Sequence, residues 1–430
     1  MIFENSLAFA KGNDLNDPLR EFKDEFIIPK RNGIPFIYLC GNSLGLQPKA
    51  TRDVVHDKLD SWSELAVEGW FDGDAPWMYY HKSLKKKIAQ LVGAKESEVC
   101  PMNTLTVNLH LLMVSFYKPV PGKFKIIMES GAFPSDQYAL ESQVRFHGYD
   151  PKEAIIEVAP RHGEYILRTE DILAAIAENG EELALVLFGG INYFTGQLFD
   201  LAKITEAGHE VGAVVGFDLA HAAGNVPLSL HDWKVDFACW CSYKYQNSGP
   251  GGISAIFIHE NNFQDSSLNR FAGWWGYKED SRFKMEKGFV PESGADGWQV
   301  SCGQIIPMSM YDAALSIFEN AGYMQPLRSK SLNLTEYLYF IISEINIKLG
   351  YEQFKIITPA DREERGAQLS IIALKNGKEI FDALVTKNVL GDWREPNVIR
   401  LSPVPLYNSF EDVYRAGQIL EEICISLLNG

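Results

Sequence analysis

The chain has 430 residues, of which 46% are hydrophobic and 12% aromatic, a composition that can bury a sizeable core and excludes a disordered or fibrous protein. Its 40 basic and 56 acidic residues give a formal net charge of −16, which argues against a nucleic-acid partner, since that affinity comes largely from clustered Lys and Arg. No apolar run reaches the roughly 18 residues of a membrane span, and the N-terminus lacks a signal-peptide pattern. The six scattered cysteines predict free thiols and a reducing, cytoplasmic compartment.

The middle of the chain alternates helix-like and strand-like stretches. Helical patterns cover 103–117, 135–147 and 201–211, and apolar strands cover 125–128, 183–188, 214–218, 237–241 and 253–258. Strands separated by helices of this length imply crossover connections, so we predict a mainly parallel α/β sheet with helices on both faces. Cys239 and Cys241 fall within one strand, where buried thiols are a better interpretation than a metal site, because no partner ligands stand at suitable spacing.

The tail of the chain has a different pattern. Two long helices run from Pro307 to about residue 349, followed by strands at 355–357, 368–373 and 398–401 and by helices at 379–387 and from Ser409. This order predicts a smaller α+β domain. We therefore divide the chain into an N-terminal segment at 1–60 that packs with the small domain, a large domain at 61–306 that contains the α/β sheet and a small C-terminal domain at 307–430.

Two charged residues stand at the ends of predicted strands. Asp218 closes the strand VVGFD, and Lys244 follows the strand FACWC. Ligands of open α/β sheets bind beyond the carboxyl ends of strands, so both side chains are expected to face one crevice. A lysine can form a Schiff base with pyridoxal phosphate, and an aspartate can keep the pyridine nitrogen protonated. A solvated lysine and an ordinary strand-end aspartate are the alternative, which spacing alone does not exclude.

Two neighbouring features fit the same kind of site. The glycines Gly249, Gly251 and Gly252 permit a close backbone approach and positive φ, although an ordinary turn would also use them. Thr104 and Thr106 stand at the start of a predicted helix, where free N–H groups attract anions such as phosphate. Plain N-capping is the commoner role for threonines at such a position.

Each of the other candidate site residues also has an ordinary structural explanation. Phe133 could stack on a flat cofactor ring and Asp136 could bond to it, but a core phenylalanine at a capped helix start fits as well. His221, just after Asp218, is either a site residue or a structural histidine. Arg400 ends a predicted strand and could bind a carboxylate through two hydrogen bonds, unless it is simply a surface arginine.

Several longer stretches resemble the kynureninase family. These are GFDLAHAAGNVPLSLHDWKVDFACWCSYKYQNSGPGG at 216–252, CGNSLGLQPK from Cys40, NTLTVNLHLLM from Asn103, AFPSDQYALESQ from Ala132, GWWGY around Trp274, RFKM from Arg282 and RLSPVPLYNSF from Arg400. The resemblance implies a homodimeric, fold-type-I pyridoxal phosphate enzyme with active sites at the subunit interface. It further implies hydrolysis of L-kynurenine, or of its 3-hydroxy form, to anthranilate or 3-hydroxyanthranilate and L-alanine, in tryptophan catabolism or NAD biosynthesis.

The resemblance also implies a role for each matching residue. Lys244 carries the Schiff base, Asp218 pairs with the pyridine nitrogen, and Tyr243 binds phosphate and relays a proton. The other cofactor-binding positions are Leu105, Thr106, Phe133, Asp136, His221, Trp274 and Cys302, of which Trp274 and Cys302 lie across the subunit boundary in the family. The substrate-binding positions are Asn42, Ser43, Trp70 and Arg400, the last of which binds the carboxylate.

Three positions depart from the family pattern. Gly189 replaces a serine, Cys302 replaces an asparagine or threonine, and Trp70 stands where some members carry histidine. By resemblance Cys302 lies near the aromatic ring of the substrate, and these departures leave the preference between kynurenine and 3-hydroxykynurenine open.

Two other functions are weighed against this one. A cysteine desulfurase on the same fold would need a nucleophilic cysteine on a mobile loop, and Cys302 is the one candidate. A cofactor-free binding protein would have no reason to keep Lys244, Asp218 and Arg400 together.

Overall fold

A computed structural model describes residues 2–429, and within them two main sheets carry helices on their faces. The α-helices are α1 (Leu7–Leu15), α2 (Thr51–Leu65), α3 (Tyr80–Val92), α4 (Leu105–Phe116), α5 (Pro134–Phe146), α6 (Pro151–Ala154), α7 (Thr169–Glu178), α8 (Leu201–Glu210), α9 (Ile305–Asn320), α10 (Met324–Leu349), α11 (Gly377–Thr386) and α12 (Phe410–Asn429). The strands are β1 (Phe26–Ile27), β2 (Lys30–Arg31), β3 (Ile34–Pro35), β4 (Ile37–Tyr38), β5 (Gln47–Pro48), β6 (Val99–Pro101), β7 (Lys125–Glu129), β8 (Ile155–Val158), β9 (Leu183–Gly189), β10 (Val214–Asp218), β11 (Phe237–Cys241), β12 (Ser254–Ile258), β13 (Phe354–Ile356), β14 (Leu369–Ala373), β15 (Val389–Leu390), β16 (Asp392–Arg394) and β17 (Val398–Leu401).

The large sheet contains seven strands of the described chain in the order β6-β12-β11-β10-β9-β7-β8. The strands β11, β10, β9, β7 and β8 run parallel, and β12 is reversed between β11 and β6. The five strands predicted here are confirmed, as is a mainly parallel α/β sheet, because their apolar runs are buried on both faces. The short strands β6 and β8 were not predicted.

The small sheet is antiparallel, in the order β13-β14-β17-β16, and packs against α10, α11 and α12. Its predicted strands and helices are confirmed with shifts of one or two residues at their ends. This α+β arrangement brings β17 and β16 side by side, with Arg400 opposite Asp392.

Among the described residues, the large clusters of buried side chains lie one on each face of the large sheet and one against the small sheet. Leu327 still belongs to the larger cluster of the large sheet, whereas Leu334 belongs to that of the small sheet, so the changeover falls within α10. The N-terminal segment contributes to both clusters, with Ala10 in the small one and Leu46 in the large one. The domain limits given above stay predictions.

Two further observations concern the cysteines and the length and hydropathy of the helices. Within residues 2–429 all six cysteines are free thiols, and Cys239 and Cys241 are buried in β11. None of the helices described here is both long enough and apolar enough to cross a membrane.

Candidate active site

Four neighbouring parallel strands end at the same edge of the large sheet. β7 ends at Glu129, β9 at Gly189 and β10 at Asp218, and the chain reaches Lys244 shortly after β11 ends at Cys241. The register places Asp218 opposite Gly189 on one side and Cys239 on the other. The carboxyl ends of these strands therefore converge on one crevice, as predicted for this class of sheet.

A cavity fills this crevice and brings most of the predicted site residues together. Its lining includes the predicted Leu105, Thr106, Phe133, Asp136, Asp218, His221, Tyr243 and Lys244. The remaining lining residues are Thr104, Glu129, Ser135, Gly189, Ile191, Tyr193 and Ala220. We call this space the lysine cavity.

Lys244 lies against a neutral histidine. Its Nζ donates a hydrogen bond to His221 Nε2 at 3.1 Å and lies 5.7 Å from the centre of the Phe133 ring. Burial, followed by the charges of Lys244 and Arg400, lowers the pKa of His221 well below its ordinary value, so the imidazole is an acceptor at Nε2. The buried Nδ1 of His221 has no hydrogen-bond partner among residues 2–429.

Two aspartates share a proton beside the lysine. Asp218 and Asp136 are both buried, and the Ala220 N–H donates to Asp218 Oδ1 at 2.8 Å. Burial, together with the neighbouring charge of Asp218, raises the pKa of Asp136 far above its ordinary value. Asp136 is therefore the protonated partner, and its O–H donates to the Asp218 carboxylate.

Tyr243 connects the lysine loop to the N-terminal segment. Burial raises the pKa of Tyr243 well above its ordinary value, so its phenol stays neutral. Its backbone carbonyl accepts a hydrogen bond from Gly45 N–H at 2.8 Å. A Cβ at Gly45 would collide with the Lys244 carbonyl oxygen, so this close approach requires a glycine.

The start of α4 faces the cavity. The first N–H groups of a helix have no partner within the helix, and Thr104, Leu105 and Thr106 line the cavity here. The capping alternative is not observed, because the Thr104 side chain makes no capping bond to the described residues of α4. Phe133 is 41% exposed, so the core-phenylalanine alternative is wrong as well.

The glycines after Lys244 differ from one another. Gly249 and Gly251 adopt positive φ, at 98° and 63°, so both positions favour glycine. Gly252 is not among the positive-φ residues of the described chain.

Arg400 lies beside the lysine cavity in a charged cluster. It is only 1% exposed, so the surface-arginine alternative is wrong. Its Nη2 lies 2.8 Å from Asp392 Oδ2, and its Nη1 donates to the Tyr193 carbonyl at 2.6 Å. The Ser43 hydroxyl also donates to Asp392, and Asn42 is buried in the same loop. Ser43 and Arg400 therefore meet at Asp392, whereas the Asn42 side-chain amide donates to Gln368 Oε1 at 2.9 Å.

Besides Asn42, Ser43 and Arg400, three more predicted residues do not line the lysine cavity of this chain. Trp70 and Cys302 line a separate apolar cavity with Trp62 and Trp77, and Trp274 is 45% exposed. We call Trp62, Trp70, Trp77, Trp274 and Cys302 the tryptophan face. A single chain does not bring this face to Lys244.

Sequence reasoning missed Glu129, Tyr193 and Asp392. Glu129 directly follows the predicted strand 125–128 and is the last residue of β7, so the signal that pointed to Asp218 could have found it. Tyr193 and Asp392 carry no comparable signal, because loop folding and the pairing of β16 with β17 place them.

The chain is similar to curated kynureninases over nearly its whole length. The kynureninase of Flavobacterium psychrophilum is 55% identical over 98% of this chain and 99% of that protein. The kynureninase of the sea anemone Nematostella vectensis is 48% identical over 95% of this chain and 92% of that protein. The family model for the kynureninase C-terminal domain matches residues 327–420.

Solved structures share the fold at low identity. The cysteine desulfurase CsdA of Escherichia coli has a TM-score of 0.72 at 16% identity, covering 96% of this chain and 98% of that one. The cystine C-S lyase C-DES has a TM-score of 0.74 at 14% identity, covering 90% and 97%. These structures therefore indicate the fold alone. At 48–55% identity over the full length, the chain belongs to the kynureninase family.

Proposed function

We propose that this chain hydrolyses L-kynurenine, or its 3-hydroxy form, to L-alanine and anthranilate or 3-hydroxyanthranilate, with Lys244 holding the cofactor. Membership of the family makes the chain a pyridoxal phosphate-dependent hydrolase of a carbon–carbon bond. The observation that carries the residue assignment is the meeting of Lys244, Asp218 and the start of α4 in one cavity.

The residues of the lysine cavity fit pyridoxal phosphate. The Lys244 amine suits its aldehyde, the open N–H groups of α4 suit its phosphate, and the Asp218 carboxylate suits a protonated ring nitrogen. The unpartnered Nδ1 of His221 leaves a buried polar atom ready for a ligand. When bound, the cofactor supplies an electron sink for the α-carbon of the substrate.

Lys244 moves the α-proton. A free Nζ on Lys244 would accept that proton as a general base. The neutral His221 Nε2, 3.1 Å away, accepts a hydrogen bond from Nζ and orients it. Asp136, by donating a hydrogen bond to Asp218 while keeping its own proton, leaves one net negative charge on the pair.

Tyr243 is the proton donor for the alanine product. Its phenol is neutral at physiological pH, all the more so because burial raises its pKa, and its ring lies 5.9 Å from Lys244 Nζ. A neutral O–H beside the lysine can protonate the carbon left after the aromatic acid departs.

Arg400 binds the substrate carboxylate in this proposal, with Asn42 and Ser43 beside it. A guanidinium held by Asp392 is already oriented, and the substrate carboxylate competes with Asp392 for it. The Arg400 charge reaches the cavity, since it helps to lower the pKa of His221.

The working unit in this proposal is a homodimer in the cytoplasm. The surface near the tryptophan face exposes large apolar side chains, including Phe71 at 60% and Phe283 at 53%. Exposed apolar patches of this kind mark protein interfaces, and a second subunit would bring its Trp274 and Cys302 to the lysine cavity. The free thiols support a reducing compartment.

The test is turnover of kynurenine and 3-hydroxykynurenine side by side by the purified, cofactor-loaded protein. We expect equal amounts of alanine and the aromatic acid, and borohydride reduction should attach the cofactor to the peptide containing Lys244. Sulfide release from cysteine without cleavage of either kynurenine would instead indicate a desulfurase, and label on another lysine would contradict the assignment.

A further inference from the structure

We propose that Glu129 is a positioning residue of the lysine cavity, whose neutral carboxyl group, held on Gly189, supplies a hydrogen-bond donor to the bound cofactor. The proposal rests on the function proposed above. Neither the sequence motifs nor the family resemblance assigned any role to Glu129.

The carboxyl group of Glu129 is fixed at the end of β7. It is 3% exposed and lines the same cavity as Lys244. The Gly189 N–H donates to it, at 3.0 Å from Oε1 and 3.2 Å from Oε2. One shared N–H leaves most of the hydrogen-bonding capacity of a carboxyl group open toward the cavity.

The glycine at 189 makes room for this carboxyl group. A Cβ at that position would lie 2.8 Å from Glu129 Oε1, closer than real Cβ contacts allow. A side chain at 189 would therefore push the carboxyl group away from its place. In this chain Glu129 occupies the space that a serine at 189 would need, so it replaces the polar group missing from that position.

The charges around the cavity favour the neutral form of Glu129. Glu129, Asp136 and Asp218 line a cavity in which Lys244 is the one cation among the described lining residues and His221 is neutral. Burial, with a further contribution from the Asp218 charge, raises the pKa of Glu129 to about 7. Three ionised carboxylates in so dry a site would repel one another, and two of them relieve this by holding protons. At a pH below about 7 the carboxyl group of Glu129 is mostly protonated and has an O–H to donate.

The experiment measures binding of pyridoxal phosphate to the apoprotein without substrate, by its visible absorbance, alongside the melting temperature of the apoprotein. The variants are Glu129→Gln, which keeps a neutral donor, Glu129→Leu, which removes it, and Gly189→Ala, which displaces it. Glu157→Gln is the matched control, because Glu157 is an exposed carboxylate on the adjacent strand β8.

We expect Glu129→Leu to weaken cofactor binding by about tenfold and Gly189→Ala to weaken it in the same direction, as for loss of a buried hydrogen bond. The cofactor affinity of Glu129→Gln should stay within about threefold of the wild type, since glutamine is itself a neutral donor. The cofactor affinity of Glu157→Gln should stay within the same range, since this variant leaves Glu129 in place. If Glu129→Leu does not fold, Gly189→Ala decides.

If Glu129→Leu folds and binds the cofactor with wild-type affinity, the proposal is overturned. If Glu129→Leu does not fold, wild-type cofactor affinity in Gly189→Ala overturns it. Equal losses in the glutamine and leucine variants, with unchanged melting temperatures, overturn it too, because the group would then act as a charged carboxylate. Failure of the wild type itself to bind the cofactor would contradict the proposed function instead.

Discussion

The lysine cavity and the tryptophan face are built in opposite ways. The cavity is lined by one chain, and its reactive groups are held by contacts within that chain, such as Lys244 to His221 and Asp218 to Ala220. The tryptophan face holds predicted site residues in a shallow, apolar and exposed setting, with Trp62 at 63% exposure. None of the residues that line the lysine cavity lines the cavity of this face.

This difference separates two kinds of site residue. Groups that move protons need fixed distances and a dry setting, which strand ends of one sheet supply. Groups that close over the substrate can come from another subunit, whose docking buries apolar surface. Mutations in the two regions should therefore differ in size and in whether a second chain can rescue them.

The largest effect is expected from Lys244→Ala. Loss of the Schiff-base amine and general base should lower turnover by on the order of a thousandfold or more. Lys234→Ala is the control, since Lys234 is exposed at the opposite end of β11. Steady-state kinetics with kynurenine provides the measurement, and near-normal turnover in Lys244→Ala would remove this residue from the mechanism.

Subunit mixing should separate the two regions directly. Lys244→Ala and Trp274→Ala lie in different regions, so exchanged subunits should regain about a quarter of wild-type activity through one repaired site per mixed dimer. Lys244→Ala mixed with Asp218→Asn should regain none, because both changes damage the cavity of their own chain. The test requires that Trp274→Ala is impaired alone; no recovery despite verified exchange would count against shared sites.

Arg400→Lys should weaken substrate binding by about tenfold, since lysine cannot reproduce a two-bond guanidinium–carboxylate contact. The cofactor spectrum should be unchanged. Arg415→Lys on the exposed side of α12 is the control. Normal kinetic constants with an intact spectrum would rule out the carboxylate role, and a lost spectrum would assign Arg400 to the cofactor or the fold.

The smallest effect is expected from Cys302→Asn. An amide near the substrate ring can hydrogen-bond to a ring hydroxyl, so kcat/KM for 3-hydroxykynurenine relative to kynurenine should rise by about threefold. Ser301→Asn, one residue earlier and also exposed, controls for the amide itself. An unchanged ratio would place Cys302 away from the ring.

Much of the lysine cavity could be predicted because its signal is local. A run of apolar residues that stops at Asp218, or shortly before Lys244, identifies both a strand and the polar group at its end. Glu129 had the same signal and was overlooked. Asp392 could not be predicted, because its contact with Arg400 depends on which strands pair and in what register.

The sequence by itself determined the parallel sheet, the edge at which its ligands bind and the chemical groups at that edge, because strand direction and side-chain type follow from local pattern. The tertiary structure alone decided which carboxyl groups share one cavity and which of them hold protons. Asp218 is far along the chain from Glu129 and Asp136, and the pKa values of all three depend on burial and on mutual distance. The separation of Lys244 from the tryptophan face is likewise decided by the tertiary structure, because only the packing of whole helices and strands sets it.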